Sequence, residues 1–253
     1  MVAIWKILKL ILILALRNTT NMYKLLKYIL IAAFLPLLFS CSERYCIKGT
    51  TDGFYNGEQA YIKVDSGGTW HIIDSCDILH GCFEMSGEVA SPFLSSLFIG
   101  EEAIMPVIIE CGDIIVELSM RDANISGTHL NNQLALFIEN KEEYERLIMD
   151  IERHETSLIL DGKTAESAAA IVRDSLIAVG DSLNSFIEES IRKHYNNVLG
   201  PCLFQLLCSA MPYPFMTQQV ERILVDAPQS FKDNHFVKSF IDAATENKRR
   251  MSN

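Results

Sequence analysis

The chain of 253 residues lacks the short motifs that would assign it a chemistry. It has no Gly-x-Ser-x-Gly elbow, no phosphate-binding loop and no dinucleotide fingerprint, which removes the commonest hydrolase, nucleotide and nicotinamide readings. Its six histidines, at 71, 80, 129, 154, 194 and 235, never fall at a metal-ligand spacing. Asp77, His80 and Cys82 are the one compact donor cluster, without a fourth ligand, and read as a turn. The seven cysteines, at 41, 46, 76, 82, 111, 202 and 208, contain no Cys-x-x-Cys pair, so no dithiol redox centre is encoded. Basic charge is scarce as well. Five of the 22 Lys and Arg lie in residues 1–40, which hold no acid, leaving 17 cations against 32 acids afterwards, a net −15. A body so acidic excludes nucleic acid, whose phosphates need compensating cations. Glu142-Glu143 and Glu188-Glu189 sit among basic neighbours on helical patterns and read as solvated faces rather than general acids. No catalytic residue, cofactor or metal is implied.

What the chain does have begins at its N-terminus. From Met22 it carries basic Lys24 and Lys27, an apolar run from Tyr28 to Phe39, and a small residue before a cysteine, the three-part layout of a secretory signal. The run is 12 residues, too short to span a bilayer comfortably. Its ending, Leu38-Phe39-Ser40-Cys41, resembles the lipobox of bacterial lipoproteins, which implies acylation of Cys41 as the new N-terminus. The expected organisation is a mis-called start at 1–21, a lipoprotein signal peptide at 22–40, a lipidated N-terminus and short tether at 41–44, a β-rich domain at 45–128 and a helical region at 129–253. The expected location is the cell envelope, lipid-anchored to a membrane.

Between 45 and 128, short β-branched and aromatic runs alternate with turn residues at the spacing of a sandwich or barrel. Strands are expected at Tyr45–Thr51, Gln59–Asp65, Thr69–Ile78, Cys82–Val89, Phe93–Ile99, Met105–Cys111 and Ile114–Met120. A tight turn at His80-Gly81 sets Leu79 opposite Cys82, Ile78 opposite Phe83 and Cys76 opposite Met85, with Ile78, Cys76, Phe83 and Met85 on one core face. After Thr128 the period changes. Residues 134, 137, 141, 144, 148, 151, 155 and 158 form one helical stripe, Asp161-Gly162-Lys163 breaks it, and Ala168 to Ile191 form a second. The two predict an antiparallel helical hairpin, followed by shorter helices at 201–210, 217–225 and 234–247. The fold class is α+β: an N-terminal antiparallel β-sandwich-like domain, then a helical hairpin and trailing short helices.

The order of short motifs carries a resemblance. Ile47-Lys48-Gly49, Ile73-Asp74-Ser75, Gly81-Cys82-Phe83-Glu84 with Gly87, Ile109-Glu110-Cys111-Gly112, and Ile125-Ser126-Gly127-Thr128 before Asn131 and Asn132 resemble a domain-of-unknown-function family (type 4369). That family occurs in lipoproteins of Gram-negative gut bacteria, commonly ahead of a thioredoxin-like thiol:disulfide interchange domain. His80 and Cys82 stand where the family tends to have Asn and Lys. The resemblance implies an accessory module without the redox centre, since the sequence ends at Lys248-Arg249-Arg250-Met251-Ser252-Asn253.

Two expectations about surfaces follow. Cys76 and Cys82 fall on opposite hairpin faces, and Cys202 and Cys208 about 240° apart on a helix, so neither pair closes and buried free thiols are expected, with Cys82 exposed. The face that a thioredoxin-like domain covers in longer relatives is expected to be open, with Phe204, Leu207, Phe215, Phe236 and Phe240 as a docking surface. The competing expectation packs all five on the hairpin. Functionally, the chain reads as a lipid-anchored, non-catalytic envelope protein that binds a partner or ligand, the partner being an envelope protein such as a thioredoxin-like lipoprotein. The alternatives are an accessory subunit of a thiol:disulfide oxidoreductase system, and envelope stress or metal handling through thiols.

Overall fold

The computed structural model describes residues 43–66 and 68–251. Cys41 and the expected signal peptide at 22–40 lie outside them. Glu43–Asn253 forms one compact unit that contains both of the apolar cores described below.

Eight strands come first: β1 (Arg44–Thr51), β2 (Gln59–Ser66), β3 (Thr69–Asp77), β4 (Cys82–Glu88), β5 (Phe93–Ile99), β6 (Glu102–Ile109), β7 (Gly112–Leu118) and β8 (Ala123–Ser126). They form two four-stranded sheets, ordered β4-β1-β7-β8 and β3-β2-β5-β6. Alternation along each strand turns one row of side chains inward, and Ile47, Ile62, Leu97, Val107, Ile114 and Val116 meet between the sheets with no exposed surface. The sandwich departs from the expected all-antiparallel pairing at one place. The chain leaves the first sheet after β1, builds β2 and β3, touches it again at β4, builds β5 and β6, and returns with β7 parallel to β1. The intervening sheet serves as the crossover that parallel strands require.

The His80-Gly81 turn forms as expected, with φ of 53° and 74° at its two residues and reciprocal backbone bonds between Leu79 and Cys82. The pairing stops there. β3 continues in one sheet against β2, and β4 in the other against β1, so Cys76 faces Ala60 and Met85 faces Ile47. Cys76 opposite Met85 is therefore corrected, although Ile78, Phe83 and Met85 do share the core.

The motif glycines each answer a packing demand. A Cβ on Gly49 would lie 1.9 Å from the Phe83 ring, and one on Gly127, at φ 101°, would lie 2.2 Å from the Asp113 carbonyl oxygen.

Six helices follow: α1 (His129–Leu160), α2 (Ala165–Lys193), α3 (Leu199–Ser209), α4 (Gln218–Val225), α5 (Gln229–Lys232) and α6 (His235–Met251). The α1 and α2 stripes face each other, stacking Phe137 on Phe186 at 5.4 Å, and Gly162 at φ 93° ends the break between them. Thr164 and Thr217 cap α2 and α4 by accepting from Ser167 N–H and Val220 N–H. The helices form a third layer. Leu134, Ile191, Leu203, Phe204, Phe231 and Val237 pack with Ile108 and Leu94, which point from the outer face of the β3-β2-β5-β6 sheet.

Candidate functional site

The joint between sandwich and helices is built from motif residues. Glu110, at the end of β6, accepts from the N–H groups of Leu130 and Asn131 at 2.7 and 3.2 Å, so a carboxylate from the sheet caps the first turn of α1. The Asn131 side chain is fully buried. Its Oδ1 accepts from Ile108 N–H at 3.0 Å, and its Nδ2 donates to the Ile108 carbonyl at 2.7 Å and to Thr128 Oγ1 at 2.8 Å. β6 is an edge strand, and this one amide stands in for the missing neighbour by satisfying both backbone groups of Ile108. Asn132 accepts from Gly127 N–H at 3.0 Å. These residues are architecture.

The same holds for the most conspicuous ion pair. Glu188 is buried, contrary to the expected solvated face, because Arg222 of α4 forks onto it at 2.6 and 3.0 Å and locks α4 to α2. Arg192 donates to the Arg222 carbonyl, and Tyr195 to that of Ile223, closing the clamp with backbone bonds. Glu142, Glu143 and Glu189 are exposed as expected.

All six described cysteines are free thiols. Cys202 and Cys208 are buried, and burial pushes both up to about 12, so they behave as small hydrophobes. Cys46 and Cys76 are half-buried, while Cys82 and Cys111 are exposed, which corrects the expectation of burial for Cys111. Among the described residues no three His, Cys, Asp or Glu side chains stand close enough to hold a metal ion.

The expected docking residues separate into two groups. Phe204 and Phe240 are core: Phe204 sits edge-on to Phe231 and Phe240 at 5.8 and 5.5 Å, and neither presents a face to solvent. Three rings meeting in one place bury each other, and that removes these two from the surface. Leu207 and Phe236 are half-buried, and Phe215 is exposed.

A concave feature lies beside them. A cleft of about 580 Å³ opens where the outer face of the β3-β2-β5-β6 sheet leaves the helical layer. Its floor is Asp65, Trp70, Leu94 and Ser96, and its walls are Pro201 and Gln205 of α3, Asn234, and His235, Phe236 and Ser239 of α6. Trp70 rests edge-on against Phe98 at 4.9 Å and keeps 44% of its surface exposed. Behind it, the buried Lys63 ammonium lies 4.3 Å above the Phe98 ring and 5.0 Å from that of Tyr61, which stiffens the floor. Asn234 is held by capping α6, accepting from Phe236 and Val237 N–H. An exposed indole ringed by amide, imidazole, hydroxyl and one carboxylate, with no paired acid, activated nucleophile or metal-ligand set, is equipped to bind. Sequence reasoning missed this cleft. The signal available was Trp70 itself, the one tryptophan after Trp5, in a strand whose other bulky residues Ile72 and Ile73 are also exposed.

No curated protein matches the chain. The model of the family described as Domain of unknown function (DUF4369) matches residues 45–134, which are the β-sandwich with the first turns of α1, through the Glu110–Asn131 joint.

Proposed function

We propose that the chain is a lipid-anchored, non-catalytic protein of the cell envelope, whose folded body acts as a binding or accessory domain through the cleft between its sheet and its helices. The cleft carries the binding half of this reading: its volume falls in the range of ligand pockets, and its lining offers an aromatic platform with hydrogen-bonding groups but no reactive constellation. The anchoring half rests on Leu38-Phe39-Ser40-Cys41 and the signal layout before it. Acylation explains why an acidic body would stay at a membrane that charge alone would not hold. One acyl chain binds marginally, and about three bind firmly.

The experiment is fractionation of a bacterial host expressing the full chain and its Cys41→Ser variant. The variant should remain unprocessed or appear in the soluble envelope fraction. A Cys41→Ser protein that is still mature, lacks residues 22–40 and sediments with membranes contradicts the anchor.

A further inference from the structure

We propose that the cleft and a second hollow beside it form one peptide groove, which takes an extended cationic segment of a partner polypeptide carrying an apolar anchor residue. The proposal rests on the reading of the body as a binding domain and names the chemistry of what it binds. The second hollow, about 290 Å³, is lined by Cys208, Met211, Pro214, Phe236, Ser239 and Phe240. Phe236 and Ser239 line the cleft as well, so the two hollows adjoin along one side of α6 with the Phe236 ring between them. Both are open to solvent along one side, a shape suited to a chain lying across them.

The two ends differ in chemistry. At the cleft end, Asp65 Oδ1 accepts from Gly68 N–H at 2.8 Å, and Oδ2 has no partner among the described residues. Asp65 is the one carboxylate on either lining, no Lys or Arg lines either hollow, and His235 and the buried Cys208 thiol are the other titratable side chains there. A carboxylate beside an exposed indole receives a Lys or Arg side chain, through charge and through the ring face together. The excess of 32 acids over 17 cations after residue 40 favours the same sign of partner over longer range. At the far end, Met211, Pro214 and the two Phe rings form an apolar socket for one side chain, the kind of buried anchor that dominates binding energy. From His235 to Phe240, α6 rises by about 7.5 Å. An extended peptide covers about 3.4 Å per residue. Cation and anchor therefore stand at least about three residues apart.

Residues 43–253, which form their own compact unit, contain Trp70 as their single tryptophan, so its emission reports the cleft directly. The probes are amidated Gly/Ser decapeptides carrying one Lys and one Phe at separations of two to six residues, the same peptides with Glu for Lys or Ser for Phe, and lysophosphatidylcholine below its micelle concentration. Lys–Phe peptides should give a saturable change, and either replacement should weaken binding about tenfold or more. Ser239→Tyr, at an exposed position shared by both hollows, should abolish the response while leaving the melting temperature unchanged. The proposal is overturned if no Lys–Phe peptide saturates at millimolar concentration, if the Glu peptides bind as well, or if binding survives Ser239→Tyr in a folded protein. A response to the lysolipid without one to the peptides overturns it too, and leaves the body standing as a binding domain of another ligand class.

Discussion

The Asn131 amide offers the sharpest perturbation of the fold. Asn131→Ala removes three hydrogen bonds and leaves the N–H and carbonyl of Ile108 without partners in a site where Ile108, Asn131 and Leu134 have no solvent contact. Each buried backbone group stranded in this way costs about 1–3 kcal/mol, so two of them amount to roughly 2–6 kcal/mol. Against the 5–15 kcal/mol typical of a domain, this is a large fraction. Thr128→Val, which strands one N–H of the Asn131 amide, should cost about 1–3 kcal/mol. The assay is urea unfolding of residues 43–253 followed by circular dichroism, with stability read from the midpoint at constant slope. An Asn131→Ala protein within about 0.5 kcal/mol of the parent would refute the idea that this side chain replaces a strand at the edge of β6.

Other outcomes follow from the same structure. A thiol reagent should titrate Cys82 and Cys111 in the native body, and Cys202 and Cys208 only as it unfolds; mass mapping of the labelled peptides decides this, and early labelling of Cys202 contradicts the burial that holds its thiol up at about 12. Burial first, and then the Asp74 carboxylate that accepts from its hydroxyl, push Tyr45 up from 10 to about 12. The folded state keeps a proton that the unfolded chain releases, so this contribution is full below pH 10 and is lost as pH rises toward 12. Stability measured from pH 9 upward should fall more steeply for the parent than for Tyr45→Phe, and equal slopes refute the linkage. The isolated body should not accelerate insulin reduction by dithiothreitol, because its six thiols include no attacking and resolving pair; turnover that vanishes on mutating two of them would establish an enzyme.

How much was legible can be seen element by element. β5 was readable to the residue at Phe93–Ile99 because Pro92 and Gly100 punctuate a short apolar run. β6 begins at Glu102 rather than Met105, since Gly100 at φ 56° turns the chain at once and the polar start of the strand carries no apolar signal. β8 was missed because Ala123–Ser126 is only four residues, set off by a Ser119 side chain that accepts from Arg121 and Asp122 N–H. The α1–α2 hairpin was plain from its stripes. The single turn α5, behind Pro228, was not. Pairings between distant strands, above all β1 beside β7, leave no periodic trace. The cleft is illegible for the same reason: Asp65, Trp70, Ser96, Gln205 and His235 come from five separate segments, and only the stacking of the helical layer on the sheet brings them together. Phe204 and Phe240 misled because abundance of large apolar residues does not tell which of them meet in a core.

The proposed anchor, finally, can be tested on one peptide. Trypsin cuts after Arg44, so a mature chain beginning at Cys41 yields Cys41-Ser-Glu-Arg44 as its N-terminal fragment. Mass spectrometry of that fragment from the membrane fraction should show the tetrapeptide heavier by a thioether-linked diacylglycerol. A fragment that still carries residues of the 22–40 segment, or an unmodified Cys41 in membrane-bound protein, contradicts the account.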